Sequence, residues 1–418
     1  MIKKNIKRIQ NFFCNKKTSS EKAEIKETST DNAISYLSDV YSEKFSSLAA
    51  LNVYTSKRTG AKRINLITDS INEGSLYGGV MTSIIFTVLL ANKNKHDIRV
   101  ITRDERPKEF RFKQVLDTIN LRCETKVSFL HSDRSGDAPV DVSEDDVFIT
   151  TSWWSTHFAL KSINPSKIIY ILQEDERMFY PAGDDQLLCN EVLSNRDIRF
   201  VVNTKMLYDH LISTGLENLK DHGKYFEPAF EKKCFFFEQK NKNEKKKLFF
   251  YARPYNVRNL FYRGIHVLEK AIAMGIIDLG EWDIYFGGKD LPENMSFSNG
   301  YRPKVLGNLN YEEYTKFIRS TDLGFSLMYT PHPSYPPLDL AASGSVVVTN
   351  RFGSKKELNN YSENIICADS TVDGLLEGLR EGIALSNNEE KRRSQYDNNK
   401  MLRDWKSSFN DIVDNIGI

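Results

Sequence analysis

The sequence has few cysteines and no pattern that would use them. The chain has 418 residues, and its five cysteines are odd in number, scattered and never spaced as C-x-x-C. They are Cys14, Cys123, Cys189, Cys234 and Cys367. This argues against a disulfide framework or a zinc site and predicts a protein of the reducing cytoplasm.

Long apolar runs and a strong charge of either sign are also missing. The longest apolar run, residues 83–91, is interrupted by Thr87 and is far shorter than the roughly 20 residues of a membrane span. No apolar segment follows the N-terminal lysines, so no signal peptide is predicted. The net charge of +2 gives no argument for nucleic-acid binding.

What the chain does have is the composition and the length of a two-domain globular protein. Hydrophobic residues make up 40% and charged residues 27%. A chain of 418 residues is long enough for two domains, each with its own core.

Short apolar runs alternate with helical patterns from residue 64 onward. Runs such as 64–68, 147–150 and 168–172 read as buried strands, and the alternation restarts at 248–251 after the lysine-rich stretch 238–247. Such alternation predicts α/β architecture with parallel sheets covered on both faces. The restart predicts two α/β domains side by side with a cleft between them.

The domain prediction has four parts. Residues 1–45 form a basic and polar arm, 46–235 an N-terminal domain, 248–390 a C-terminal domain and 391–418 a C-terminal helix. Within the arm, residues 1–17 carry six basic and no acidic side chains with apolar residues at helical spacing. That pattern suits an amphipathic helix on an anionic membrane surface, and a solvated arm is the alternative.

A glycine pair, Gly78 and Gly79, lies in the loop between the first strand and its helix. Glycine allows backbone N–H groups to approach a phosphate, and the following helix N-terminus favours an anion. The loop is neither G-x-G-x-x-G nor a Walker loop, so an ordinary tight turn is an equal alternative from local sequence.

Two arginines follow the first strand of the second half. Arg253 comes directly after the strand and Arg263 lies near the start of the next helix. Ligands of open α/β sheets bind beyond the carboxyl ends of the strands, where a guanidinium can bind a diphosphate. A surface or salt-bridging role is the alternative for each.

The segment 328–344, MYTPHPSYPPLDLAASG, combines four prolines with side chains suited to sugars and bases. If the ligand is the sugar donor of a transfer reaction, the candidates for binding it are Tyr329, His332, Ser334, Tyr335 and Asp339. Asp339 would accept hydrogen bonds from the hydroxyl groups of that sugar donor, and a carboxylate that caps the helix is the alternative.

Acidic residues follow the strand 168–172, in the segment 173–181. Glu174 and Asp175 are candidates for binding the hydroxyl groups of the molecule that accepts the sugar in such a transfer, the acceptor, with a solvated turn as the alternative. His157 is a third candidate on the acceptor side, although a structural histidine is the commoner case.

Taken together, these segments resemble the bacterial rhamnosyltransferases of the WsaF type, which are related to glycosyltransferase family 4. The resemblance rests on FYARP at 250–254, PHPSYPPLD at 331–339, VVTN at 347–350 and QEDERMFYP at 173–181. It extends loosely over residues 64–385 and implies a GT-B fold, with two Rossmann-like domains around a donor cleft.

The resemblance also implies a substrate and a site. The substrate would be dTDP-L-rhamnose, with Arg253 at the diphosphate, Lys304 near the nucleotide, residues 329–335 lining the donor pocket, and Gly78 and Gly79 closing over the phosphates. Because family 4 members are retaining, the resemblance also implies transfer with retention of configuration. No D-x-D motif stands at the donor site, so a reaction independent of metal is expected. The leading hypothesis is transfer onto a saccharide acceptor in surface polysaccharide or O-antigen synthesis, and the basic N-terminus favours a lipid-linked one.

The sequence departs from the family 4 pattern at two glutamates eight positions apart. Asp339 stands at the second position and Pro331 at the first. The WsaF-type loop usually has glutamate where Asp339 stands, and the shorter carboxylate reaches less far. It can still bind the single free 3′-hydroxyl of a deoxyribose, but UDP- and GDP-sugar donors stay open. A catalytically inactive GT-B scaffold and a homodimer also stay open.

Overall fold

A computed structural model describes residues 37, 39–57, 60–72, 76–133, 139–239, 244–307 and 309–418. The predicted amphipathic segment 1–17 lies outside the described residues, and so do Cys14 and part of the lysine-rich stretch. Contacts group the chain into two units, Met1–Ser47 and Leu48–Ile418, and both large sheets belong to the second.

The first sheet has seven parallel strands in the order β4-β3-β2-β6-β7-β8-β9. Its central strands are buried along almost their whole length, as expected for a sheet covered on both faces. The strands are β2 (Arg63–Thr68), β3 (Asp97–Thr102), β4 (Val127–His131), β6 (Val147–Thr150), β7 (Ile168–Leu172), β8 (Arg199–Asn203) and β9 (Gly223–Phe226). A separate parallel pair joins β1 (Val53–Thr55) to β5 (Val140–Val142).

Helices connect these strands, as parallel pairing requires. They are α1 (Met81–Asn94), α2 (Glu109–Ile119), α3 (Trp153–Leu160), α4 (Asp184–Leu193), α5 (Lys205–Ser213) and α6 (Leu219–His222). Several start at a side-chain cap, for example α3, whose N-cap Ser152 accepts a hydrogen bond from the backbone N–H of Ser155.

The second sheet has six parallel strands in the order β12-β11-β10-β13-β14-β15. They are β10 (Lys246–Ala252), β11 (Trp282–Gly288), β12 (Lys304–Val305), β13 (Leu323–Phe325), β14 (Val346–Asn350) and β15 (Ile365–Ala368). The helices that follow β10 in the chain are α7 (Phe261–Ala273), α8 (Tyr311–Ser320), α9 (Tyr335–Ala342), α10 (Val372–Ser386), α11 (Glu389–Asp397) and α12 (Trp405–Asn415).

The core of the second sheet shows why one glycine is needed in α7. A Cβ at Gly264 would lie 2.3 Å from Cζ of Phe250. The Phe250 ring is held by the rings of Phe261 and Phe325, with centroids 6.1 and 5.5 Å away. Glycine therefore lets α7 pack directly onto β10.

The last helix, α12, packs against the first sheet although it follows the second in the chain. Phe409 is fully buried, with its ring 5.2 Å from that of Phe86 on α1 and 4.4 Å from that of Phe226 on β9. Trp405 and Ile412 belong to the same core. The chain thus crosses between the two sheets a second time.

The predicted fold class is confirmed, because both large sheets are parallel and lie between helices. The exact domain boundaries remain predictions. Among the described residues, no helix combines the length and the apolarity that a membrane crossing needs.

Candidate functional site

A cavity of about 410 Å³ lies where the carboxyl ends of strands from both sheets face each other. Carboxyl ends of parallel strands are where α/β proteins bind ligands. Six of the ten predicted donor-binding residues line this cavity: Gly78, Gly79, Arg253, Ser334, Tyr335 and Asp339.

The glycine pair forms the edge of the cavity on the side of the first sheet. Gly78 has φ +93°, a left-handed conformation that favours glycine. At Gly79, an added Cβ would lie 3.1 Å from Nε2 of Gln173, and this nitrogen donates a 2.7 Å hydrogen bond to the Gly79 carbonyl. The turn is therefore held by Gln173 and leads directly into the N-terminus of α1, which favours an anion.

Arg253 supplies the cation on the opposite side of the cavity. It follows the last residue of β10 and is half-buried. Within the part of the chain that the structure describes, no carboxylate pairs with its guanidinium. Arg258, five positions later, is instead paired with Glu174 at 3.1 Å. Arg253 is thus the arginine of this cavity with its donors available to a ligand.

The segment before α9 is fixed by hydrogen bonds to its backbone. Met328 N–H donates to Oδ1 of Asn350 (2.7 Å), and the Met328 carbonyl accepts from Nζ of Lys355 (2.8 Å). Lys355 is completely buried, and burial lowers its pKa to about 8. The segment therefore forms a rigid wall of the cavity.

Tyr335, at the start of α9, joins the two sheets across the cavity. Its hydroxyl lies 2.8 Å from Oγ1 of Thr82 on α1 and accepts a 3.0 Å hydrogen bond from Nδ2 of Asn203 at the end of β8. Both partners belong to the half of the chain that builds the first sheet, whereas Tyr335 belongs to the half that builds the second. The contact therefore sets the distance between the two walls.

Asp339 is the one carboxylate that α9 presents to the cavity. Its side chain is 8% exposed, and its Oδ2 accepts a 2.9 Å hydrogen bond from the Tyr314 hydroxyl. Burial raises the pKa of Asp339 to about 7, despite the opposing effect of that hydrogen bond. The native protein therefore holds the Asp339 proton at pH values where the unfolded chain has already lost it.

This pKa difference makes Asp339 a cost to stability above pH 4. Between about pH 4 and pH 7 the unfolded state releases the proton and the native state keeps it, so stability falls as the pH rises. Asp339→Asn retains an acceptor for Tyr314 but cannot ionise. At pH 8 we expect this variant to have a higher urea midpoint than the wild type and a free energy of unfolding larger by roughly 1–3 kcal/mol, with little difference near pH 3.5. Equal urea midpoints at pH 8 would contradict the raised pKa.

The predicted acceptor residues lie in a buried network beside the cavity. Burial raises the pKa of Glu174, and its partner Arg258 opposes this. Burial acts against ionisation of Asp175, but hydrogen bonds from His210 and Arg177 lower its pKa to about 2. Neither lines the cavity, and their role in acceptor binding remains a prediction.

The other acceptor candidate, His157, lies on α3. Its ring centroid is 6.1 Å from that of Trp153, and burial lowers its pKa. Trp153 in turn donates its backbone N–H to the buried Glu176 at 2.6 Å. These contacts place His157 in the packing of the first sheet, and its role with the acceptor likewise remains a prediction.

Four predicted donor residues do not line the cavity. Arg263 is exposed on α7, and Nζ of Lys304 is bonded to Asp283 at 2.6 Å. Tyr329 lines a separate depression of about 640 Å³ beside Phe352.

His332, the fourth of these residues, is buried and supports the loop. Its Nδ1 accepts a hydrogen bond from the backbone N–H of Ser334 at 2.9 Å. Because burial lowers the pKa of His332 to about 3, the ring is neutral.

The cavity also contains residues that sequence reasoning did not identify. Tyr251 is the second-last residue of β10, two positions before Arg253, and Tyr311 and Tyr314 come from the first turn of α8. An aromatic residue two positions before Arg253 was a usable signal. Nothing in the sequence connects Tyr314 with Asp339, because they are 25 positions apart and on different helices.

A search of the described residues for metal ligands finds no group of three or more His, Cys, Asp or Glu side chains that could hold an ion. The four cysteines that the structure describes are free thiols.

Comparisons with known proteins identify two family matches. The model for the N-terminal domain of WsaF matches residues 63–205, and the model for the C-terminal domain of WsaF matches residues 246–380. The O-antigen biosynthesis protein RfbC of Myxococcus xanthus is 30% identical over 246 residues, which cover 57% of this chain and 18% of RfbC. The chain thus matches less than a fifth of that relative's length.

Solved structures share the fold at low sequence identity. Anabaena HepE in complex with UDP and glucose has a TM-score of 0.58 at 11% identity, covering 85% of this chain and 99% of HepE. Sucrose-phosphate synthase from Thermosynechococcus elongatus has a TM-score of 0.55 at 11% identity, covering 84% and 97%. WaaG, a glycosyltransferase involved in lipopolysaccharide biosynthesis, has a TM-score of 0.52 at 12% identity, covering 84% and 98%. These similarities show that the fold is GT-B.

Proposed function

Because this chain belongs to the WsaF family and has the GT-B fold of glycosyltransferases, we propose that it transfers a sugar from a nucleoside diphosphate donor in polysaccharide or O-antigen synthesis. The finer proposal is that the donor is dTDP-L-rhamnose and that the acceptor is a saccharide, lipid-linked at the cytoplasmic face of the membrane.

The observation that carries the proposal is the set of groups around one cavity. Arg253 offers a guanidinium without a carboxylate partner among the described residues, and the Gly78–Gly79 turn offers a helix N-terminus. Both suit a diphosphate. Asp339 cannot bind a phosphate when it is ionised, but it accepts hydrogen bonds from hydroxyl groups. A nucleotide sugar combines a diphosphate with hydroxyl-bearing rings, which matches both sets of groups.

The proposed mechanism follows from the charge that develops in glycosyl transfer. The sugar becomes oxocarbenium-like while the nucleoside diphosphate departs with negative charge. Arg253 and the N-terminus of α1 stabilise that charge more in the transition state than in the bound donor. We propose retention of configuration and a reaction independent of metal, with the departing phosphate taking the acceptor proton.

The test is a binding and turnover experiment on the full chain. Thermal midpoints are measured with dTDP, UDP and GDP at matched concentrations, because a ligand of the native state raises the midpoint according to its affinity. Release of dTDP from dTDP-L-rhamnose is then followed with and without saccharide acceptors, and with EDTA. A midpoint raised by dTDP with acceptor-dependent release supports the proposal. No response to any nucleotide would contradict it and favour a scaffold.

A UDP-sugar donor is the second candidate. HepE, which shares the fold, has been solved with UDP and glucose, and Oδ1 of Asp339 has no partner among the described residues, so a ribose hydroxyl has an available acceptor. A midpoint raised by UDP alone would keep the glycosyltransferase and replace the rhamnosyl donor.

The proposed membrane contact depends on residues 1–17. Six basic side chains among 17 residues are expected to bind anionic lipid headgroups. Deleting residues 1–17 should reduce cosedimentation with vesicles containing phosphatidylglycerol by about tenfold, while binding to neutral phosphatidylcholine vesicles stays low for both proteins. Unchanged cosedimentation would contradict this part of the proposal.

A further inference from the structure

Asp339 has two oxygens, and only one of them is available to a ligand. Oδ2 accepts the hydroxyl hydrogen of Tyr314 at 2.9 Å. Oδ1 has no hydrogen-bond partner among the described residues, and the side chain lines the cavity. A carboxylate without Tyr314 would offer both oxygens to a vicinal diol, as two parallel hydrogen bonds. With Tyr314 in place, it offers one.

Two other polar side chains of this cavity already use their oxygens in hydrogen bonds within the protein. Oδ1 of Asn310 accepts the backbone N–H of Glu313 at 3.0 Å as the cap of α8. The hydroxyl of Tyr335 is bonded to Thr82 and Asn203. The oxygens that these two side chains present at this wall are therefore already in use.

Tyr314 stays a hydrogen-bond donor above the pH at which an exposed phenol would lose its proton. Burial raises the pKa of the phenol well above its usual value, and the nearby Asp339 charge adds to this effect. The α8 backbone fixes the ring, because Asn310 and Glu313 cap this helix reciprocally. The hydrogen bond is thus part of the resting cavity and does not require a ligand.

We infer that Tyr314 determines the specificity for the pentose of the nucleotide: by occupying one oxygen of Asp339, it selects a 2′-deoxynucleoside diphosphate over a ribonucleoside diphosphate. This inference rests on the proposed function, since it concerns the donor cavity. A deoxyribose offers the single 3′-hydroxyl that Oδ1 can bind. A ribose brings a second hydroxyl to the same carboxylate, where it loses water and meets an oxygen that Tyr314 already occupies.

Four nucleotides distinguish the effect of the pentose on the dissociation constant from the effect of the base. They are dTDP, dUDP, ribothymidine diphosphate and UDP, which combine the presence or absence of the 2′-hydroxyl with that of the 5-methyl group. Dissociation constants are measured by calorimetry on the full chain. We expect both deoxy ligands to bind about tenfold more tightly than their ribo counterparts, whichever base they carry.

In Tyr314→Phe both oxygens of Asp339 become available. The ratio of ribo to deoxy dissociation constants should fall at least about threefold, mainly through tighter binding of the ribonucleotides. Tyr251→Phe is the matched control, because Tyr251 lines the same cavity and no hydrogen bond from its hydroxyl to Asp339 is present. It should keep the wild-type ratio. Because the ratio compares two ligands on the same protein sample, a fraction of unfolded protein does not change it.

The outcomes separate this inference from the proposed function. Equal ratios in wild type and Tyr314→Phe overturn the inference, even if the enzyme transfers rhamnose from dTDP-L-rhamnose. Tighter binding of UDP than of dUDP to the wild type also overturns it. If none of the four nucleotides binds, both the inference and the proposed function fail.

Discussion

Arg253→Ala is expected to lower turnover by about two to three orders of magnitude while the protein stays folded. Removing one preorganised group that stabilises developing negative charge typically costs this much. Arg253 faces the cavity and has no carboxylate partner among the described residues, so its removal leaves no buried charge unpaired. The effect should therefore appear in catalysis and not in stability.

The measurement is the initial rate of sugar transfer at saturating donor, together with the thermal midpoint of the unliganded protein. Arg302→Ala is a matched control, because Arg302 is exposed and precedes β12, at the amino end of a strand of the same sheet. It should retain wild-type turnover. An Arg253→Ala protein with full turnover would contradict the placement of the diphosphate, and a scaffold without catalysis would show no turnover to lose.

Glu174→Ala should produce the largest loss of stability of any single change at the boundary between the two sheets. Glu174 follows β7 of the first sheet and pairs at 3.1 Å with Arg258 of the second. The guanidinium of Arg258 also lies 4.3 Å from the ring of Phe179. Because arginine does not give up its proton, removal of Glu174 leaves a buried cation without the carboxylate that pairs with it, which costs roughly 3–5 kcal/mol.

Urea unfolding followed by circular dichroism measures this loss. Glu293→Ala is the control, since Glu293 is exposed in the loop between β11 and β12 and should change the free energy of unfolding by less than about 0.5 kcal/mol. Glu174→Leu combined with Arg258→Met should recover most of the loss, because it removes both charges together. A loss below 1 kcal/mol for Glu174→Ala would contradict the burial of the pair.

The sequence predicts the sheets well where a strand is buried on both faces. Strand β7 is an uninterrupted run of apolar residues and β6 is apolar except for Thr150, a pattern that a sheet covered by helices on both faces can bury. The edge strands β9 and β12 are short and partly exposed, so their composition carries little signal. The return of the chain to the first sheet at α12 could not be predicted, because the apolar pattern of α12 does not indicate which of the two sheets it packs against.

The candidate site is predicted in part, for a similar reason. Arg253, Arg258 and Arg263 occur within eleven residues and look equivalent in sequence. Only the fold shows that the first faces the cavity, the second is paired with Glu174 and the third faces solvent. Lys355 appears in a hydrophilic stretch, S-K-K-E, yet it is completely buried. Which ionisable group is free and which is paired depends on partners far away in the chain.

The return of α12 to the first sheet has a consequence for biosynthesis. Phe226 is the final residue of β9 in that sheet, and its ring packs against Phe409 of α12. Trp405 of α12 belongs to the same core. Phe409 and Trp405 are therefore both synthesised long after Phe226. A ribosome that adds about 5–20 residues per second needs roughly 10–40 s to reach Trp405 after Phe226. During this interval the nascent first half exposes the apolar surface that α12 later covers. This is the stage of synthesis at which a chaperone that recognises apolar segments would have the most to bind.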